Sequence, residues 1–326
     1  MAFFIFSKKN MRISFFLFLL LCCSCADIKE QDDKKEPINP EGVELMILGI
    51  AQDAGFPQTA CQRPCCENLL KSGEKGALVT CLGLVNHKDK KQYMFEASPD
   101  FPSQLASLNA RSGLEENLCD GIFITHAHIG HYTGLMYLGR ESVGSSAVPV
   151  YSMPRLSSYL SENGPWSQLV GLNNIELRRL KSDSLIQLDP SIKVVPLEVP
   201  HRDEFSETVG YKIIGPDKSA LFIPDIDKWS KWDLDIKEQV SQVDLAFLDA
   251  TFYRNGEIWG RDMSQIPHPF VEETINLFDE VPFEEKQKIF FIHLNHTNPL
   301  LSSEEAKQEV LKKGFNLAEE GMLFSL

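Results

Sequence analysis

At 326 residues and 43% apolar composition, the chain can hold one large globular domain or two small ones. Its formal net charge of −14 comes with no basic block beyond the N-terminus. That excludes general nucleic-acid binding, because such a chain repels a phosphate backbone.

The first 25 residues read as a targeting segment. Lys8, Lys9 and Arg12 are basic, Ile13 to Leu21 is apolar, and Cys22-Cys23-Ser24-Cys25 follows. Met11-Arg12 is by itself a sufficient start for such a signal. The apolar core is shorter than the roughly 20 residues that span a bilayer. Ser24-Cys25 resembles the processing site of bacterial lipoproteins, which implies a lipidated Cys25 and an envelope location outside the cytoplasmic membrane. The alternatives are an ordinary cleaved signal peptide and an uncleaved anchor. Residues 26–42 are polar, contain Pro37 and Pro40, and read as a flexible tether. The folded domain is expected over residues 43–326.

The domain opens with a strand over Val43 to Ile50, then a Gly- and Pro-punctuated loop from Ala51 to Gln58. Cys61, Cys65 and Cys66 come next, in a turn containing Pro64. Ala77 to Val85 and Gln92 to Ala97 predict a hairpin. Pro99 to Ala110 predicts a helix with Ser98 as its N-cap. Gly121 to Thr125 is a strand, followed by a histidine-rich loop and a helix near Thr133 to Leu138. Further short apolar runs predict strands at Val148 to Ser152, Ile192 to Leu197, Val209 to Ile214, Leu221 to Ile223, Leu245 to Leu248 and Ile289 to His293. Helices are expected at Lys228 to Val240, Pro269 to Phe278 and Ser303 to Lys312. Together these predict a layered α/β body with helices outside two sheets. The loop from Ser142 to Asn174 is expected at the mouth of a site.

The chemistry concentrates at strand ends. Thr125-His126-Ala127-His128-Ile129-Gly130-His131 carries three of the eight histidines of the chain. A turn at the end of a buried strand can aim such a cluster at one point, and neutral imidazole is a common ligand for zinc and iron. His201, Asp225, Asp249 and His293 also stand at or just past the ends of expected strands. His126, His128 and His201 are read as ligands of a first ion, His131 and His293 as ligands of a second, and Asp225 as a carboxylate able to bridge both. Bound ions of this kind polarise a carbonyl or phosphoryl oxygen and lower the pKa of water to about 7. His268, in Ile266-Pro267-His268-Pro269, is a candidate general acid for a leaving group or a cap for the following helix.

The body holds five cysteines: Cys61, Cys65, Cys66, Cys81 and Cys119. An odd number, three of them crowded together, fits a disulfide framework poorly. Cys61, Cys65 and Cys66 with His296 would complete a four-ligand structural zinc site. The alternative is a cysteine pair with one spare thiol.

This ordered series resembles the metallo-β-lactamase superfamily, whose signature is His-x-His-x-Asp-His. The resemblance covers Val43 to Leu326 and implies a four-layer αββα sandwich with metals on one edge, and the ligand roles just given. Glu96 stands where the family often has a structural aspartate. Gly130 occupies the aspartate position of the signature and offers no ligand, so the second ion is expected to bind more weakly, to be absent, or to take a carboxylate from elsewhere. Asp227 and Asp249 are the candidates for that carboxylate, with Asp249 equally suited to accept hydrogen bonds from a ligand. The Cys/His cluster resembles that of the phosphonate-pathway cyclic phosphodiesterases. Gly55-Phe56-Pro57-Gln58, Ala97-Ser98-Pro99-Asp100, Gly260-Arg261-Asp262-Met263 and Asn295-His296-Thr297-Asn298-Pro299 resemble the pyrroloquinoline-quinone biosynthesis B branch. The resemblance implies one or two catalytic Zn2+ ions and one structural one, with Mn2+ or Fe2+ as alternatives at the histidines. It implies a hydrolase of a small-molecule ester, a phosphodiester first. An iron oxidoreductase acting on a quinone precursor, or a metal-binding envelope protein without catalysis, are the other readings.

Overall fold

Apolar side chains in this chain come in short, nearly continuous runs, and the computed structural model gathers those runs into two seven-stranded sheets. It describes residues 39, 41–114 and 118–326. The expected signal segment, Cys25 and nearly all of the tether lie outside them. From Asn39 onward the chain forms one unit.

The first sheet contains β1 (Val43–Gly49), β2 (Cys81–Asn86), β3 (Lys91–Phe95), β4 (Gly121–Phe123), β5 (Val148–Ser152) and β6 (Ile175–Arg179). The second contains β7 (Ile186–Gln187), β8 (Lys193–Glu198), β9 (Val209–Ile214), β10 (Ser219–Ile223), β11 (Leu245–Asp249), β12 (Ile289–Ile292) and β13 (Asn316–Leu317). The last strand, β14 (Leu323–Ser325), returns to pair antiparallel with β1. Helices α1 (Pro64–Ser72), α2 (Phe101–Ser112), α3 (Ile129–Tyr132), α4 (Pro154–Glu162), α5 (Trp166–Gly171), α6 (Ile236–Ser241), α7 (Val271–Leu277), α8 (Phe283–Lys286) and α9 (Glu304–Lys312) complete it.

Strand alternation sorts the core into three layers. Leu45, Ile47, Leu82, Phe95, Phe123, Tyr211, Phe222 and Phe247 meet between the sheets. Leu48, Val85 and Ile122 point the other way, onto Leu108 of α2 and Leu156 of α4. Leu221, Ile223 and Leu248 pack outward on Val240 of α6, Ile275 of α7 and Val310 of α9. This is the expected αββα sandwich.

Strands β3 to β6 run parallel to one another, as do β10 to β13. Loops leaving the carboxyl ends of parallel strands share one rim, where open α/β sheets place ligands. Glu96 follows β3, His126 follows β4, Asp225 follows β10, and His293 follows β12. Cross-sheet bonds hold the two halves of the rim in register. Tyr211 Oη donates to the Ile124 carbonyl at 2.6 Å, and Val209 N donates to the Thr125 carbonyl at 3.2 Å.

Several local expectations shift. The helix expected from Pro99 begins at Phe101, with Asp100 in the N-cap position. Ser98 Oγ accepts from Asp100 N at 3.0 Å, while the Asp100 carboxylate turns away to take Val79 N at 2.8 Å. The helix expected over Lys228 to Val240 splits into a 3-10 turn at Trp229–Lys231 and α6. Asp235 restarts it by accepting from Lys237 N at 2.8 Å, and Trp232 Nε1 donates to the Glu198 carbonyl at 2.8 Å across the break. The histidine loop leads first into α3, and Thr133–Leu138 is a 3-10 turn. Residues 142–174 are not loop but mainly β5, α4 and α5, and Arg155 there props the His201 loop through the Asp203 carbonyl at 2.8 Å.

Candidate metal centre

Two carboxylates at strand ends organise the rim. Glu96 is fully buried and lies in the left-handed backbone region at φ 88°, which few non-glycine residues adopt. The turn aims its carboxylate sideways at the loop after the neighbouring strand. Glu96 Oε1 accepts from Thr125 Oγ1 at 2.6 Å and from His131 Nδ1 at 2.9 Å. Thr125 has given its proton to the carboxylate, so its oxygen accepts from His126 Nδ1 at 2.9 Å. Both imidazoles are thereby fixed with Nε2 pointing inward.

Asp249 repeats the arrangement on the second sheet. Its Oδ1 accepts from Thr251 Oγ1 at 2.7 Å, and Oδ2 accepts from His268 Nδ1 at 2.9 Å. Thr251 Oγ1 accepts in turn from His293 Nδ1 at 2.8 Å. His293 sits at φ 66°, again turned out of its strand direction, and its buried Nε2 has no hydrogen-bond partner. His268 therefore does not cap α7. Glu273 does that, accepting from Phe270 N at 2.9 Å.

The inward nitrogens converge on Asp225. Its Oδ2 lies 3.3 Å from His126 Nε2, 3.2 Å from His201 Nε2, 3.9 Å from His128 Nδ1 and 3.8 Å from His131 Nε2. His201 Nε2 is 3.3 Å from His128 Nδ1. The other nitrogen of His128, Nε2, bonds Glu204 at 3.2 Å at the surface. His126, His128, His201 and Asp225 thus form one four-donor group, and Asp53, His131, Asp225 and His293 form another. Asp225 belongs to both. It also enters a third group with Asp249, His268 and His293, where its Oδ1 is 3.2 Å from His268 Nδ1.

These donors suit a cation. His126 Nε2 and His128 Nδ1 face each other at 2.8 Å, and the outer bonds of each ring leave a lone pair on both. Such lone pairs repel unless a proton or a cation lies among them. Donors about 2.0–2.1 Å from a tetrahedral ion lie roughly 3.3–3.4 Å apart, close to three of the distances above. Burial would raise the carboxyl of Asp225, but the neighbouring His201 and His268 lead the histidines around it in holding it well below the usual carboxylate range. Burial, with His131 nearby, keeps His126 well below the histidine range, hence neutral. Burial works against charging His131, yet Glu96 and Asp53 outweigh it and raise its pKa well above that range. The carboxylates that attract a proton there attract a cation equally.

The sequence placed the six histidine and aspartate candidates together, and the structure brings all of them to one rim. It missed Asp53. That residue sits in the loop after β1, with Oδ1 3.0 Å from His131 Nε2 and 3.5 Å from His293 Nε2. Of the two substitutes named from sequence, Asp227 is turned outward to Lys231 Nζ at 2.7 Å. Asp249 is the acceptor for Thr251 and His268. The only hint of Asp53 in the sequence was the missing carboxylate at Gly130.

The second cluster assembles as well. Cys65 and Cys66 are in the first turn of α1, with Pro64 at its start, so the expected turn is a helix N-terminus. Cys65 Sγ is 3.9 Å from both Cys61 Sγ and Cys66 Sγ. His296 Nδ1 is 3.6 Å from Cys65 Sγ and 3.4 Å from Cys66 Sγ. Zinc bound at about 2.3 Å by sulfur and 2.0–2.1 Å by nitrogen sets such edges near 3.8 and 3.6 Å. None of the five described cysteines is in a disulfide. Burial and the neighbouring sulfurs push the Cys65 thiol up to about 12, a bias that a bound cation reverses. One loop serves both clusters, since His293 faces the histidines and His296 the cysteines. Asn298 Nδ2 anchors it to the Ala250 carbonyl at 2.7 Å.

A cleft of about 460 Å³ opens beside the histidine cluster and is lined by Asp53, Phe56, Lys75, Asp100 and Ile129. No described helix is long and apolar enough to cross a membrane.

Residues 91–294 match the family model of the beta-lactamase superfamily domain, and the chain belongs to that superfamily. It is similar to the coenzyme PQQ synthesis protein B of Gluconobacter oxydans, with 25% identity over 316 residues that cover 87% of this chain and 99% of that one. Among solved structures, Zn(2+)-bound PqqB from Methylobacterium extorquens aligns at TM-score 0.72 and 20% identity, covering 87% of this chain and all of that one. A diphosphatase of the PhnP family aligns at TM-score 0.62 and 21% identity, covering 87% and 97%. These likenesses agree with the αββα sandwich.

Proposed function

We propose that this member of the beta-lactamase superfamily is a metal-dependent hydrolase of a small ester, a phosphodiester first. One observation carries the reading: the buried carboxylate of Asp225 belongs to two adjacent donor groups at once. In this reading His126, His128 and His201 would hold one ion and His131 and His293 a second, with Asp225 the carboxylate that both donor groups share. Cys61, Cys65, Cys66 and His296 hold a structural zinc. The ions, when bound, polarise a phosphoryl or carbonyl oxygen and lower the pKa of water to about 7.

The rest is work for the protein. Glu96 and Thr125 on one sheet, and Asp249 and Thr251 on the other, fix the imidazoles so that the donor nitrogens point inward. The cleft beside Asp53 admits the substrate. His268, held at Nδ1 by Asp249, keeps Nε2 for a proton to the leaving oxygen. The net charge of −14 favours a small ester over a nucleic acid. The diphosphatase of similar fold supports phosphate chemistry. Zinc- or manganese-loaded protein should hydrolyse bis-p-nitrophenyl phosphate. His128→Ala should lose more than the 10–100-fold typical of a residue one step removed from a metal. Equal rates in wild type and variant with either metal would overturn the reading.

The relatives named coenzyme PQQ synthesis protein B favour a second reading, an iron-dependent redox or oxygenating enzyme acting on a quinone precursor or peptide. Iron in anaerobically purified protein, with oxygen consumption, would select it. Metal without turnover on any ester would select a metal-carrying envelope protein. The membrane anchor at Cys25 is likewise a proposal, tested by fatty-acid labelling of wild type and Cys25→Ala.

A further inference from the structure

Gly130 leaves the histidine motif without a carboxylate, and Asp53 lies against that gap. A Cβ built on Gly130 would stand 2.5 Å from Asp53 Cα, 2.5 Å from Asp53 Oδ1 and 2.9 Å from Asp53 Cβ. Real Cβ atoms essentially never approach so closely. The first two atoms are a backbone atom and the carboxylate itself, so no rotamer change relieves both contacts. A side chain at 130 and Asp53 in its present place exclude each other.

The loop that carries Asp53 is not free to drift. Ala51 bridges to both Val79 and Leu294. Gln52 N donates to the Leu294 carbonyl at 2.9 Å, and Leu294 N donates to the Ile50 carbonyl at 2.8 Å. Leu294 follows His293, so one backbone ladder fixes Asp53 and His293 together. His131 is fixed by Glu96, and both imidazoles turn Nε2 toward Asp53 Oδ1.

The geometry points to Asp53 as the carboxylate ligand of the second ion, supplied from the loop after β1 in place of the motif residue, with Gly130 retained to make room for it. This rests on the metal-centre reading and adds a ligand to it. A plain ion pair between Asp53 and His131 is the rival account.

The test is metal content per chain by elemental analysis after equilibration in buffered zinc, with circular dichroism to confirm folding. Asp53→Ala should hold one ion fewer than wild type, or bind the last ion at least about tenfold more weakly. Gly130→Ala, which retains Asp53 but displaces it, should lose the same ion. Asp53→Asn, which keeps the shape and loses the charge, should weaken the same ion. Should Asp53→Ala not fold, Asp53→Asn and Gly130→Ala carry the test. A folded Asp53→Ala with the wild-type complement and affinity overturns the inference and supports the ion pair. A wild type with a single ion at the histidines overturns the inference alone. A wild type whose histidines hold none overturns the metal-centre reading with it.

Discussion

Thr251→Val tests whether a buried hydroxyl decides which nitrogen His293 presents. Thr251 is fully buried, and valine matches its shape without the oxygen. The structure shows what goes unsatisfied. Asp249 Oδ1 keeps Thr251 N at 2.9 Å, and Oδ2 keeps Ile226 N at 3.1 Å and His268 Nδ1 at 2.9 Å. His268 therefore keeps its main partner. His293 Nδ1 does not: Asp249 Oδ1 is 4.0 Å away, beyond hydrogen-bond range. One buried donor is orphaned, which costs about 1–3 kcal/mol. For a domain of this size that lowers Tm by roughly 2–5 °C. The orphaned ring is free to turn or to change tautomer, and a residue in this supporting role typically affects metal affinity about 10–100-fold. Denaturation in chelator gives the first quantity, and zinc titration against a chromophoric chelator gives the second. Thr251→Ser, which keeps the oxygen, should stay within about threefold of wild type, under 1 kcal/mol. Valine at wild-type affinity, or serine as weak as valine, would refute the proton assignment.

Glu204 provides the contrast. It bonds the outer nitrogen of His128 but is about half exposed, and exposed pairs contribute about 0–1 kcal/mol. Glu204→Gln should therefore shift zinc affinity by less than about fivefold. Chelating the metal proposed at Cys61, Cys65, Cys66 and His296 should expose these cysteines to a thiol reagent while Cys81 and Cys119 stay silent, because burial raises both of the latter thiols. Reaction of all five before unfolding would contradict the packing. Glu44 predicts a pH dependence. Burial would raise its carboxyl, but Arg111 at 2.6 and 2.8 Å and His87 at 2.8 Å hold it below the usual range. A depressed folded pKa stabilises above the unfolded value, about 4.3, and that contribution fades as pH falls through the folded value. Glu44→Gln should cost about 3 kcal/mol at pH 7, and the gap in urea denaturation should narrow below about pH 4. A gap that does not change with pH would refute the electrostatic account.

What the sequence revealed follows from its short apolar runs. Buried strands such as Leu221-Phe222-Ile223 and Ile289-Phe290-Phe291-Ile292 are runs that only a covered sheet accommodates, and their ends carried the candidate ligands. The unread elements lack such a signal. Ile175–Arg179 alternates into two arginines at a sheet edge, and Asn316–Leu317 and Leu323–Ser325 are strands only because a partner pairs with them. The helix at Pro64–Ser72 was hidden because its cysteines, in their first turn, suggested a ligand loop.

Asp53 was unreadable for a different reason. A lone aspartate in a Gly- and Pro-punctuated loop has no period and no neighbouring ligand, and its role appears only where strands lie side by side. The same lateral logic governs the whole rim. Glu96 ends β3 but serves imidazoles from the loop after β4, which pairs beside it. Asp249 ends β11 but serves His293 after β12, again the adjacent strand. In each case a threonine just beyond a strand end passes the bond from carboxylate to ring. Chain order reveals which residues stand at strand ends. Hydrogen bonding between neighbouring strands determines which carboxylate orients which imidazole, and hence which nitrogen remains for a cation.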